Sequence, residues 1–286
     1  MVSKLTDKIT GTSSHKLILA HMPLIMVCIE GLGKLAEKFP MLSKQSSDCL
    51  REFLTTPSPI LSRLSRHYNR QEPKKNLNVP ALTVTESSDS IKSIREYADA
   101  TYDKHSKSLR AFEKLRDCAI DNLCRSIRAQ LIDGDQNCLK ALVSAITTRL
   151  FNPDNVRDRN WDLSSHNTIL ALGHIAVILH TQINDDLDNT KAVLKFLLQW
   201  FDGNASDHDT LLIDQMGCIV ISRNKDDSVY TEIMKKFKEI IREASQAVYS
   251  ANKGGGHNDR KNRYQKCSGS VINALGNIAA FIHTGG

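Results

Sequence analysis

The sequence predicts an all-α protein assembled from repeated antiparallel helix pairs. Three observations predict it. A short Gly-centred phrase recurs inside apolar stretches, amphipathic segments lie between the recurrences, and helix-breaking residues are scarce, with 14 Gly and 7 Pro among 286 residues. That scarcity disfavours turn-dense all-β and low-complexity architectures. A hydrophobic content of 41% supplies a core, and 24% charged residues is not the composition of a chain that stays disordered.

In chain order, residues 15–68 are expected to begin the helical repeats. Pro23 suits the first turn of the opening helix, which ends at Phe39 before Pro40. Residues 69–90 contain Pro73, Lys74, Lys75, Asn76, Asn78 and Pro80 without an apolar period, and read as a flexible linker. Residues 91–286 then continue the repeats. Amphipathic helices are expected over Asp135 to Leu150, Leu187 to Phe201 and Val229 to Tyr249. In the last, Ile233, Phe237, Ile240, Ile241, Ala244 and Val248 share one face. Ser206 and Asp209 make an S-x-x-D start signal before Leu211. Lys253 to Arg263, with Gly254, Gly255 and Gly256, reads as an exposed loop. Its basic residues Lys253, Arg260, Lys261 and Arg263, with Lys266, are candidates for contact with an anionic surface, the alternative being a solvated loop.

The recurring phrase is the most informative feature. It reads Gly31-Leu32-Gly33-Lys34-Leu35-Ala36, Ala171-Leu172-Gly173-His174-Ile175-Ala176, Gln215-Met216-Gly217-Cys218-Ile219-Val220 and Ala274-Leu275-Gly276-Asn277-Ile278-Ala279. Four residues before the glycines stand Ile29, Ile169, Ile213 and Ile272, and three after stand Ala36, Ala176, Val220 and Ala279. These offsets draw one stripe on a helix. Glycine within a helix costs about 1 kcal/mol against Ala, so Gly33, Gly173, Gly217 and Gly276 call for compensation, which close approach of a neighbouring helix supplies. Gly173 and Gly217 are 44 residues apart, within the roughly 40–47 residues of a HEAT or armadillo unit. The expected architecture is therefore a HEAT/armadillo-like α-solenoid of antiparallel helix pairs.

Several function classes find no support. Gly31-x-Gly33-Lys34 completes neither GxxxxGK[ST] nor GxGxxG. The seven cysteines, Cys28, Cys49, Cys118, Cys124, Cys138, Cys218 and Cys267, are scattered and never form CxxC, so they read as reduced core residues. His174 and His180 stand six apart, off the spacing of a helical zinc pair. A net charge of +6 permits an anionic partner, but aromatics at 6% do not suggest a base-stacking surface, and no nucleic-acid partner is expected. Met1 to Gly11 lacks a secretory apolar stretch. The apolar runs around Met22–Ile29 and Ile169–Leu179 fall short of the roughly 20 residues of a membrane span, so membrane contact is expected to be peripheral.

The run Asn167 to Val177 resembles a stretch of the N-terminal non-catalytic α-solenoid of phosphatidylinositol 4-kinases of type III alpha. So do Leu211 to Cys218, Ala247 to Ala251 and Cys267 to Ala280, with Val27 to Ala36, Pro57 to Leu61, Asp117 to Arg125 and Thr147 to Leu150 in the same order. The matches span most of residues 15–283 and depart over Asn69 to Ser108 and Gly254 to Asn262. The resemblance implies a scaffold segment of an enzyme that makes phosphatidylinositol 4-phosphate from phosphatidylinositol and ATP. It implies self-dimerisation through the parent chain and protein partners, a tetratricopeptide-repeat scaffold subunit and a hyccin-type subunit. It also implies cytoplasmic residence with peripheral recruitment to the plasma membrane. ATP and magnesium would belong to the parent's kinase domain. This chain offers no HRD- or DRH-like loop, DFG-like triplet or nucleotide Gly loop, so no catalytic, cofactor or metal residue is expected in it. Its end just after the fourth phrase suggests a fragment of a longer chain; a free-standing HEAT-repeat adaptor without kinase activity is the alternative.

Overall fold

A computed structural model describes residues 1–10, 15–55, 58–69, 88–150, 161–182, 187–203, 208–221, 227–251 and 259–283. These residues are helical apart from short connections, with no strand among them. The helices are α1 (Val2–Thr10), α2 (His15–Lys38), α3 (Ser43–Thr55), α4 (Pro59–Asn69), α5 (Ser88–Ile132), α6 (Cys138–Leu150), α7 (Trp161–Gln182), α8 (Leu187–Gly203), α9 (Asp209–Ile221), α10 (Ser228–Ala251) and α11 (Asp259–His283). A single 3-10 turn, Pro40–Leu42, links α2 to α3. The chain divides into two compact units, Met1–Leu123 and Cys124–Gly286.

In the first unit, α1 packs on α2, α3 and α4, and α2 packs on α3 and α4. Val2 and Ile9 of α1 are buried with Ile18, Ile25, Ile29 and Leu32 of α2, Leu50 and Leu54 of α3, and Leu61 and Leu64 of α4. Two expectations are corrected here. Helix α1 precedes the expected start at residue 15, because its short apolar stripe finds a partner in α2. Pro23 lies well inside α2 instead of in its first turn; neighbouring packing carries the helix past the missing N–H.

Helix α2 corrects a third expectation. Its stretch Leu17–Lys38 is, at 22 residues, long and apolar enough by length and composition to cross a membrane. One face of that stretch, with Ile18, Ile25, Ile29, Leu32 and Ala36, is buried, a third of its apolar window in all. Leu17, Leu24 and Val27 are exposed.

The expected linker over residues 69–90 is also shortened. Asn69 closes α4 and Ser88 opens α5, a helix of 45 residues; positions 70–87 lie outside the described residues. The helix stops at a left-handed residue. Gly134 has φ +97°, the Gly134 N–H donates to the Leu131 carbonyl (3.2 Å), and the Asp135 N–H donates to the Gln130 carbonyl (2.9 Å). This is a Schellman arrangement, in which a left-handed glycine lets the last carbonyls find donors.

In the second unit, α7, α9 and α11 pack on one another in succession, α7 on α9 and α9 on α11. Helices α6, α8 and α10 fill the alternate positions: α8 packs on α6, α7 and α9, and α10 packs on α8, α9 and α11. The core is built from Ile169, Leu172, Trp200, Phe201, Ile213, Met216, Ile233, Phe237 and Val271. Asp227 caps α10, its Oδ1 accepting the Val229 N–H at 2.6 Å.

Replacing Gly134 by Ala forces a Cβ into the left-handed region, and we expect a loss of about 1 kcal/mol. Urea unfolding of the wild type and Gly134→Ala checks it; nothing lies within 4 Å of the added methyl, so any loss reports backbone strain alone.

Candidate functional site

The residues singled out by the sequence fall into two groups, the phrase glycines and the basic residues near α11. The glycines stand at helix crossings in three of four cases. A Cβ built on Gly33 would lie 2.9 Å from the Cβ of Asn122 on α5, and one on Gly173 would lie 2.9 Å from the Cβ of Gln215 on α9. Both are closer than real Cβ contacts come. At Gly217 the neighbour is the Cβ of Ala274 on α11, at 3.1 Å. The covering residue stands two positions before the next phrase glycine in both cases of the second unit, Gln215 before Gly217 and Ala274 before Gly276. One contact is thus repeated along the row α7, α9, α11.

Gly276 departs from the expectation. It is exposed, and nothing lies within 4 Å of a Cβ built on it. It is therefore not a helix-packing glycine among the described residues, because α11 is covered on only one side by α9 and α10.

The basic residues are dispersed. Arg260 and Lys261 stand in the first turn of α11, which begins at Asp259, so the expected loop Lys253 to Arg263 is helical from Asp259 onward. Lys253 lies outside the described residues, and Lys266 is exposed. Arg263 is corrected outright. Its side chain is 17% exposed, with Nε 2.6 Å from Asp209 Oδ2 and a second guanidinium nitrogen 2.5 Å from Asp209 Oδ1. The same guanidinium also donates to the Phe201 carbonyl and lies 4.5 Å from the centroid of the Phe201 ring. Arg263 is thus engaged inside the unit, not offered to an anionic surface.

Around this pair sits a second cation. Lys236 Nζ lies 2.6 Å from Asp202 Oδ1 and 3.4 Å from Glu239 Oε2, and 5.5 Å from the centre of the Phe201 ring. Tyr264 stacks on Phe201 at 6.0 Å, and its hydroxyl donates to Glu239 Oε1 at 3.4 Å. The cluster joins the end of α8, the start of α9, the middle of α10 and the start of α11. Asp209, read from sequence as part of a start signal, is both in the first turn of α9 and the anion of this cluster. Sequence reasoning assigned Arg263 to a loop. The available signal was that Tyr264, Cys267, Val271 and Ala274 extend the apolar stripe of α11 backwards at spacings of three and four.

The chemistry this arrangement supports is structural. The Arg263 guanidinium is held protonated by its hydrogen bonds to Asp209, the larger influence against the opposing effect of burial. The Cys267 thiol donates to Asp209 Oδ2 at 3.8 Å, and burial, then the Asp209 charge, push its pKa up to about 11. A thiol so held is no thiolate at neutral pH and no nucleophile. Burial also raises the thiols of Cys28, Cys49 and Cys218. His208 is buried, edge-on to His166 and Trp200 at centroid separations of 6.1 and 6.4 Å. Among the described residues, no three His, Cys, Asp or Glu side chains are grouped to hold a metal ion. No protein-family model matches the chain, and no solved structure matches it significantly.

Two predictions follow from this geometry. Gly173→Ala should destabilise the second unit by about 1–3 kcal/mol through overpacking against Gln215, whereas Gly276→Ala should be neutral or stabilise by up to about 1 kcal/mol; thermal unfolding of the two variants separates these signs. The Cys267 thiol binds its proton more tightly folded than unfolded, so stability should fall as pH rises from the ordinary thiol value of 9.0 to about 11. Cys267→Ala should flatten that part of the profile, read as the variant-minus-wild-type difference in urea midpoints between pH 8 and pH 11.

Proposed function

We propose that this chain is a non-catalytic scaffold, a HEAT/armadillo-like α-solenoid segment of a phosphatidylinositol 4-kinase. The observation that carries the scaffold reading is the ordered row α7, α9, α11, each phrase glycine of the first two seated under the next helix, with α8 and α10 between them. Stacked units of this kind contact only their neighbours and present long surfaces to partners. The lipid-kinase assignment is supported by the collinear resemblance across most of residues 15–283, outside Asn69 to Ser108 and Gly254 to Asn262. The engagement of Arg263, the protonated thiols and the absence of kinase motifs in the sequence agree with a binding role for this part.

Under this reading the parent chain carries ATP and magnesium in a separate kinase domain. The present segment contributes surface for a tetratricopeptide-repeat subunit, a hyccin-type subunit and the parent's own dimer, in the cytoplasm and peripherally at the plasma membrane. The test joins size to activity. An antibody against this segment should detect a native protein several times larger than 32.0 kDa whose immunoprecipitate labels phosphatidylinositol vesicles from radioactive ATP, while the 286-residue chain alone labels them no more than a blank. A native band only at 32.0 kDa overturns the kinase assignment, and labelling by the isolated chain overturns the non-catalytic one.

A further inference from the structure

Phe39 and Met41 stand at the turn between α2 and α3, 44% and 86% exposed. The turn is short and tied down by hydrogen bonds. The Phe39 N–H donates to the Leu35 carbonyl at 2.9 Å, the Leu42 N–H to the Phe39 carbonyl at 2.8 Å, and the Ser43 hydroxyl to the Pro40 carbonyl. Pro40, at the start of the 3-10 turn, has its φ fixed by its own ring. The two side chains are therefore presented by a rigid backbone, so burying them against a partner orders little additional chain.

The charge around that tip is mainly positive. Lys38 and Lys44 flank it and are exposed, and Glu37 is the one carboxylate in the sequence between Gly31 and Ser47. The next carboxylates on either side are already paired, Glu30 with Lys34 and Asp48 with Arg51, each at 3.4 Å. Lys38 Nζ lies 5.8 Å from the centre of the Phe39 ring, so ring and ammonium act as one amphipathic group. The composition of the first unit agrees. Met1–Leu123 carries 19 Lys and Arg against 14 Asp and Glu, whereas the rest of the chain carries 19 against 18.

These features select the occupant. A stable protein interface buries about 800 Å² on each side, and two side chains on a three-residue turn offer far less. A nucleic acid would meet the lysines, but its bases stack on aromatic rings and not on a methionine. An anionic bilayer asks for no matching shape: its acyl boundary takes up protruding apolar groups while its headgroups attract the lysines beside them.

We propose that the α2–α3 turn is a membrane-insertion tip, in which Phe39 and Met41 enter the boundary between headgroups and acyl chains of an anionic bilayer and Lys38 and Lys44 engage lipid phosphates. Two apolar side chains and two lysines make the contact weak and reversible. The basic residues near α11, which the sequence suggested for an anionic surface, have no part in it. Under the proposed function the chain reaches the membrane within an assembly. Direct lipid contact by this chain is a separate claim that rests on the geometry of the turn, so either can fail alone.

Sedimentation of the 286-residue chain with vesicles, of phosphatidylcholine alone or mixed with phosphatidylserine, tests it. The expected result is binding to the mixed vesicles that weakens with salt. Binding should fall about tenfold or more in Met41→Asp and in the pair Lys38→Ser with Lys44→Ser, with circular dichroism and urea midpoint unchanged. Met41→Trp should gain fluorescence that brominated lipids quench, beyond the quenching of the wild type. Absence of binding to the mixed vesicles overturns the proposal, as does equal binding to phosphatidylcholine alone or binding indifferent to Met41→Asp. Binding abolished instead by Arg260→Ser with Lys261→Ser overturns it in favour of the start of α11.

Discussion

The paired carboxylate and guanidinium of Asp209 and Arg263 are the constraint on which the second unit depends. The side chains are 10% and 17% exposed, and the two nitrogen-to-oxygen contacts are 2.6 and 2.5 Å. Ions so far out of water are tolerated only with good geometry and further hydrogen bonds, and the bidentate fork with the Phe201 carbonyl meets both requirements. Because Asp209 opens α9 and Arg263 lies one turn into α11, one interaction ties together the first turns of two phrase helices. The Phe201 ring, with Arg263 on it and Lys236 and Tyr264 beside it, extends that constraint to α8 and α10.

Once those starts are set, the glycine contacts become possible. Gly217 meets Ala274 because α9 and α11 approach until a methyl and a bare Cα touch, and Gly173 meets Gln215 in the same way one helix earlier. The helical penalty of each glycine is offset by dispersion contacts that a larger residue would prevent. The same relation makes the fourth phrase informative. Its stripe is chemically like the others, and its exposure is a property of its position at the outside of the row.

Under the scaffold proposal, function resides in surfaces. The ionisable groups nearest to being reactive are committed to structure: Arg263 to Asp209, Lys236 to Asp202 and Glu239, and the Cys267 thiol, protonated, to Asp209. Among the described residues, exposed apolar side chains include Ile272 on α11, Met41 and Ile132, and Leu17, Leu24 and Val27 of α2.

The sequence by itself determined the all-helical class, most of α6 to α10, and the positions of the phrase glycines, since all of these follow from local period, propensity and spacing. It could not determine α1, whose nine residues are too short to be stable alone, or the start of α5 at Ser88 in a segment without a clear apolar period. Only the tertiary structure decided that Arg263 is an internal cation and not a surface one, because its partner is 54 residues away in the chain and nothing local announces it. Only the tertiary structure, likewise, separated Gly276 from its three counterparts. Period fixes which face of a helix is apolar, but whether that face is covered depends on which other helix arrives there.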